Sequence, residues 1–143
     1  MSEGAVTRPM TPRQYEALAE FRYALRKYLR CSEELTRRHG VTPLQYQLML
    51  QIKGYPGRQR ATISELAERL QAKHNGIVAL ATRCERQGLI ERQASERDGR
   101  EVYLVLSALG QTTLERLAQL HRDELLARRD NLFVRQLIDA ETA

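Results

Sequence analysis

Thr62-Ile63-Ser64-Glu65-Leu66-Ala67-Glu68-Arg69-Leu70, then Gln71-Ala72-Lys73, then His74-Asn75-Gly76-Ile77-Val78-Ala79-Leu80-Ala81-Thr82-Arg83-Cys84, is the stretch that decides the fold. Thr62 and Glu65 stand at capping-box spacing. The threonine oxygen can accept from the amide three residues on, while the glutamate reaches back to the cap amide. Ile63, Leu66, Ala67 and Leu70 then recur at helical spacing and mark one buried face. After the tight connection at Gln71-Ala72-Lys73, Ile77, Leu80, Ala81 and Cys84 mark a second buried stripe, and Gly88 supplies a residue suited to a left-handed helix end. Two apolar stripes this close must pack on each other, which is helix-turn-helix geometry. The opposite face of the second helix presents Lys73, His74, Asn75, Gly76 and Ala79 to solvent, where a recognition helix offers side chains to base edges.

After Gly88 the period changes from helical to strand-like. Leu89-Ile90-Glu91-Arg92 and Val102-Tyr103-Leu104-Val105-Leu106 are β-rich, and Ser95-Glu96-Arg97-Asp98-Gly99-Arg100 between them carries an Asp-Gly turn signal. Arg97 and Arg100 are therefore expected on a projecting loop, where a cation suits phosphates or a narrow minor groove. Arg83 and Arg86 lie farther along the second helix, and Arg83 equally suits an ion pair with a wing acid such as Asp98. Arg58 and Arg60 precede the first of the paired helices, in reach of a DNA backbone or simply solvated on a charged loop.

The chain resembles the MarR family of bacterial transcriptional regulators. The likeness is carried by Leu66-Ala67-Glu68-Arg69-Leu70, by Arg83-Cys84-Glu85-Arg86-Gln87-Gly88-Leu89-Ile90-Glu91-Arg92, by Asp98 with Arg100, and by Leu104-Val105-Leu106-Ser107 followed by Gly110. It extends over roughly residues 12–140. It implies a mainly α fold with a small β-hairpin wing, a winged helix-turn-helix domain flanked by N- and C-terminal dimerisation helices. It also implies that Asp98 orients Arg100 and that Arg100 enters the minor groove. The sequence departs from the family where bases are read, at Gln71, at Lys73-His74-Asn75-Gly76 and at Ala79, which leaves the operator sequence open.

One domain over 1–143 is expected. It comprises helices over 11–39 and 107–140, a DNA-binding core over 42–106, and an aperiodic, disordered 1–10. Thr11-Pro12-Arg13-Gln14 and Thr42-Pro43-Leu44-Gln45 each offer a cap, a proline at the first helical position and a glutamine reaching back. They predict helices running to about Arg38, stopped at Gly40, and to about Lys53. A last helix is expected from near Ser107 to about Ile138, with a kink around Arg129-Asp130-Asn131. Leu18, Phe21, Leu25, Tyr28, Leu29 and Leu35 at one end, and Leu114, Leu117, Leu120, Leu125, Leu126, Leu132, Phe133, Val134 and Leu137 at the other, exceed what so small a core can house. They point to a homodimer, with two recognition helices about one duplex turn, roughly 34 Å, apart on a pseudo-palindromic operator in double-stranded DNA.

The formal charge of +5, from 23 basic and 18 acidic residues, suits a polyanionic partner but describes a mixed surface, not a basic tail. No run is long and apolar enough to span a bilayer and no signal-peptide core appears, so no membrane partner and a cytoplasmic location are expected. His39, His74 and His121 are far apart and neither cysteine has a nearby partner, so no metal and no cofactor are expected. No nucleophile-base pair, carboxylate dyad or phosphate loop stands out, so no enzyme is expected.

The resemblance further implies a small-molecule effector that releases a repressor. Tyr15, Tyr23, Tyr28, Tyr46 and Tyr55 offer aromatic walls, and Arg22 or Arg26 a carboxylate clamp, which together suit a phenolic or aromatic acid; packing is the plainer use of such tyrosines. Two alternatives stay open. Cys31, beside Arg30 and near Tyr28, suits a thiol redox sensor, although relatives that sense peroxide carry the reactive residue nearer the helix start; Cys84 reads as core. A sequence-indifferent architectural DNA-binding protein would share the same basic features.

Overall fold

The structure, a computed structural model, describes residues 8–95, 97 and 99–132. Its order is α1 (Pro12–Arg38), α2 (Pro43–Lys53), β1 (Ala61–Thr62), α3 (Ile63–Leu70), α4 (His74–Arg86), β2 (Ile90–Ala94), β3 (Val102–Leu106), α5 (Ala108–Ala127) and α6 (Arg129–Leu132). Each predicted cap forms. Gln14 N donates to Thr11 Oγ1 at 3.2 Å while Thr11 N donates to Gln14 Oε1 at 2.9 Å, and Thr42 with Gln45 repeats this reciprocal pair. Gly40 takes φ +75° just beyond α1, a left-handed value that glycine adopts without steric cost.

The described chain falls into two compact units, Met1–Cys31 with Arg122–Ala143, and Ser32–His121. The second carries the helix-turn-helix and the wing. Its sheet is antiparallel in the order β1-β3-β2, with Ala61 opposite Leu104, Thr62 opposite Tyr103, and Ile90 opposite Leu106. The hairpin is thus three-stranded, one strand more than expected, because two residues are too few to show alternation. The strand after Gly88 also begins one residue later than Leu89 and runs on to Ala94.

Leu48, Met49, Ile52, Leu66, Ile77, Cys84, Leu104 and Leu117 are fully buried in one core. Ile63, Ala67 and Leu70 pack against it, so both predicted stripes do meet. Two of the leucines that looked homeless, Leu114 and Leu117, are inside this core as well. They get there because the first turns of α5 lie directly on the β2 entry. Ser107 N donates to Leu89 O at 3.0 Å, the Ser107 hydroxyl bonds Gly88 O, and Gly110 N donates to Ser107 Oγ at 3.0 Å.

In the first unit Ala24 is buried while Leu18, Leu29, Leu125 and Leu126 remain exposed. Near the expected kink the helix is broken, one residue earlier than the expected Arg129. The α-helix is interrupted at Arg128, which is ion-paired to Glu124 at 3.4 Å, and resumes at Arg129. Phe133, Val134, Leu137 and the expected continuation to Ile138 lie outside the described residues, as do Asp98 and the first seven residues.

Candidate nucleic-acid interface

Thr62 caps α3 by accepting from Glu65 N at 3.2 Å, and Glu65 Oε1 accepts from Thr62 N at 2.9 Å, completing the predicted box. At the other end Gln71 makes the turn in the left-handed region, φ 51° and ψ 49°. A side chain there costs about 1–2 kcal/mol relative to ordinary helix. Part is recovered because Gln71 Nε2 donates to Glu68 O at 2.8 Å, a second bond to a carbonyl that also accepts from Gln71 N at 3.1 Å.

Lys73 then caps α4 with extended backbone and no side-chain hydrogen bond. Lys73, His74, Asn75, Gly76 and Ala79 are all exposed, as their spacing predicts. Nothing stands within 4 Å of where a Gly76 Cβ would be, so the backbone itself faces open space at this turn. Beside it runs a groove of about 400 Å³ lined by Ser64, Ala67, Glu68, Gln71, Ala72, Lys73 and His74. The opposite face of α4 is anchored by Ile77, Leu80, Ala81 and Cys84, so the helix offers its polar side from a fixed base.

Arg83 and Arg86 lie on the last turns of α4, and both are exposed. Glu85 Oε2 accepts from Arg92 Nε at 3.0 Å, which ties the end of this helix to β2 and so to the wing. At the wing tip Ser95 N donates to Glu101 O at 3.0 Å and Arg97 N to Ser95 Oγ at 3.2 Å, closing the loop on which Arg97 and Arg100 are exposed. Asp98, assigned to orient Arg100 and offered as a partner for Arg83, lies outside the described residues.

The residues expected around an effector are spread over both units. Tyr15, Arg22, Tyr23, Arg26 and Tyr28 follow one another along α1. Tyr15 and Tyr23 are exposed, with Lys27 Nζ 4.0 Å above the Tyr23 ring. Burial, and then the nearby Cys31, push the Tyr28 hydroxyl above the ordinary phenol range. Tyr46 is buried on α2 and stacked on the His121 ring, centroids 4.1 Å apart at 11°. Tyr55 is half-buried beneath Arg58. Cys31 is half-buried; Cys84 is fully buried, and desolvation, outweighing the Arg83 charge, pushes its thiol to about 11.

Two constellations went unread in the sequence. The His121 ring is buried with Nδ1 2.7 Å from Leu117 O and Nε2 2.7 Å from Ser32 Oγ. A carbonyl only accepts, so Nδ1 carries a proton and donates to Leu117 O, while Nε2 shares a hydrogen bond with the Ser32 hydroxyl. Ser32 and His121 are 89 positions apart, which no periodicity can reveal. The second is a stack around Arg58, whose guanidinium pairs with Glu65 and lies 4.1 Å from the Tyr55 centroid. Arg58 therefore belongs to a held cluster, not to a loosely solvated loop. Among the described residues no three His, Cys, Asp or Glu side chains gather as a metal site, and no helix is long and apolar enough to cross a membrane.

The family match falls within the second unit. Residues 39–101 match the model of the MarR family. An uncharacterized HTH-type transcriptional regulator of Bacillus cereus (strain ZK / E33L) is 34% identical over 85 residues, 59% of this chain and 54% of the relative. The HTH-type transcriptional repressor MdtR of Bacillus subtilis is 30% identical over 104 residues, 73% of this chain and 60% of MdtR. The chain thus spans little more than half the length of these relatives. Among solved structures, AbsC, a MarR family transcriptional regulator from Streptomyces coelicolor, superposes with a TM-score of 0.69 at 23% identity, covering 93% of this chain and 84% of AbsC. A mutant of MarR from E. coli complexed with operator DNA gives 0.67 at 21% identity, covering 85% of each chain. The matched residues 39–101 hold α2, the helix-turn-helix and the first wing strand, and over that stretch the chain is similar to the MarR family.

Proposed function

We propose that the protein is a sequence-specific double-stranded-DNA-binding transcriptional regulator that works as a homodimer and represses. The observation that carries this reading is the exposed first turn of α4, Lys73 to Gly76, standing with an arginine-bearing wing braced to the same helix by Glu85 and Arg92. Asn75 presents a carboxamide suited to bidentate pairing with adenine, worth about 1–3 kcal/mol of discrimination. Lys73, His74, Arg83 and Arg86 supply phosphate and base contacts from α4; Arg97 and Arg100, with Asp98 in support, supply the wing's. The exposed Leu18, Leu29, Leu125 and Leu126 supply an apolar surface for a second copy.

Repression is supported by MdtR, a repressor by name, and by the simple fact that a dimer seated on a promoter obstructs polymerase. An effector that prefers a dimer with misplaced recognition helices would release the DNA by the ratio of its two affinities. The test is footprinting on the promoter of the protein's own gene beside a random duplex of equal length. Protection of a two-fold-related site supports the regulator. Equal binding to both duplexes supports an architectural protein instead.

A further inference from the structure

Five side chains of the helix-turn-helix unit form an alternating column of cations and rings. Arg69 lies 5.8 Å from the Tyr55 centroid, and Arg58 lies 4.1 Å from that ring and 5.4 Å from Tyr103; Arg60 lies 4.3 Å from Tyr103. All four separations are within the range in which a guanidinium is attracted to a ring quadrupole. The order is therefore Arg69, Tyr55, Arg58, Tyr103, Arg60. It draws on α3, the loop after α2, the residue before β1, and the wing strand β3.

Charge is unequally matched along it. The central Arg58 is paired to Glu65 Oε2, while the other carboxylate oxygen, Oε1, serves the α3 cap. The outer arginines are not paired: among the described residues neither Arg60 nor Arg69 forms an ion pair, and Arg69 Nε donates only to the neutral Gln51 Oε1 at 2.9 Å. Lys53, at the end of α2, likewise donates to two neutral amides, Gln59 Oε1 at 2.9 Å and Gln111 Oε1 at 3.0 Å. Stacking thus fixes two guanidinium groups while leaving their charge unspent. A surface ion pair would have used the charge, and a free side chain would lose rotamer freedom on binding.

We propose that Arg60 and Arg69 form a second phosphate-binding surface, for the duplex backbone beyond the bases covered by α4 and the wing. The column flanks α3, since Glu65 and Arg69 are on that helix and Arg60 stands two residues before its cap. In helix-turn-helix docking the first helix of the pair crosses the DNA backbone while the second enters the groove. The ligand is the phosphodiester backbone, met by planar donors that suit phosphate oxygens and carry no sequence preference. The inference rests on the DNA-binding reading above.

The test is the salt dependence of duplex binding by wild type and by the Arg60→Gln/Arg69→Gln double variant. Losing two phosphate contacts should flatten the slope of log K against log salt by about 1.8 per protomer in the double variant. Its preference for operator over random DNA should stay unchanged. Independently of any variant, wild type should bind an operator flanked by extra duplex more tightly than one trimmed to the protected bases. A wild-type slope in a double variant that melts like wild type overturns the proposal, as does indifference of wild type to flanking duplex. Failure of wild type to bind any duplex would instead remove the DNA-binding reading itself, and this surface with it.

Discussion

Gly110, in the first turn of α5, lies so close to Leu89 that a Cβ on it would stand 1.9 Å from the Leu89 carbonyl oxygen and 2.9 Å from the carbonyl carbon. The obstacle is backbone, and that same carbonyl accepts from Ser107 N, so it cannot swing aside without breaking the junction between wing and α5. Gly110→Ala should therefore destabilise the protein by at least the ~1–3 kcal/mol typical of overpacking. Denaturant melts should show a lower midpoint; an unchanged midpoint would mean the α5 entry can shift freely.

Glu65 is held by three residues, Tyr55, Arg58 and Thr62. Burial alone would raise its carboxyl pKa, but bonds from Tyr55, the Thr62 backbone and hydroxyl, and Arg58 outweigh that and hold it at about 2, against an ordinary 4.5. The folded value is the lower one, so the stabilisation is complete above the unfolded value and is lost as pH falls from 4.5 toward 2. Thermal melts from pH 6 to pH 2 should show a drop in this window that Glu65→Gln lacks. Equal acid sensitivity of the two proteins would assign the drop to other carboxylates.

Cys84 should be inert to alkylation in the native state, because its thiol is buried and its pKa is raised to about 11. Mass spectrometry after brief iodoacetamide treatment at neutral pH should find any modification on Cys31. Label on Cys84 before unfolding would show that the α4 base opens readily. Because the folded thiol holds its proton longer, stability should also decline as pH rises from 9 toward 11.

The two halves of the interface should fail differently. Asn75→Ala should relax preference at one position of each half-site, by about 1–3 kcal/mol of discrimination, leaving the salt slope intact. Arg100→Ala should weaken binding to all duplexes and flatten the slope by about one unit. Selection of bound sequences together with a salt titration separates the outcomes. Identical site choice by Asn75→Ala would remove that residue from base reading.

A charge at Leu125, which is 43% exposed on α5, should leave a folded protein that sediments as a monomer and loses operator affinity. The Leu125→Glu variant remaining dimeric in analytical ultracentrifugation would move the seam elsewhere.

Much of the fold was legible because its signals are local. The boxes at Thr11, Thr42 and Thr62, the stripes of α3 and α4, and the turn residue Gly88 each lie within a few positions of the bonds they make, and each forms as read. The outward turn of Asn75, Gly76 and Ala79 follows from the same stripe, since burying Ile77, Leu80 and Ala81 sets them on the opposite face, whereas Lys73 and His74 are exposed at the helix start. Residues linked across the chain were not legible. His121 meets Ser32, Gly110 meets Leu89, and Tyr103 stacks Arg58 against Arg60, each through separations along which no period is maintained.

The amino-acid order by itself determined where helices start and stop and which of their faces turn inward, because capping and amphipathic spacing act over a single turn. Only the tertiary structure decided which residues from different elements became neighbours: that Leu114 and Leu117 close the core from α5, that Tyr46 is taken up by His121, and that three arginines and two tyrosines align in one column. Those outcomes follow from how buried faces settle against one another in three dimensions, and one side chain's place there depends on all the rest.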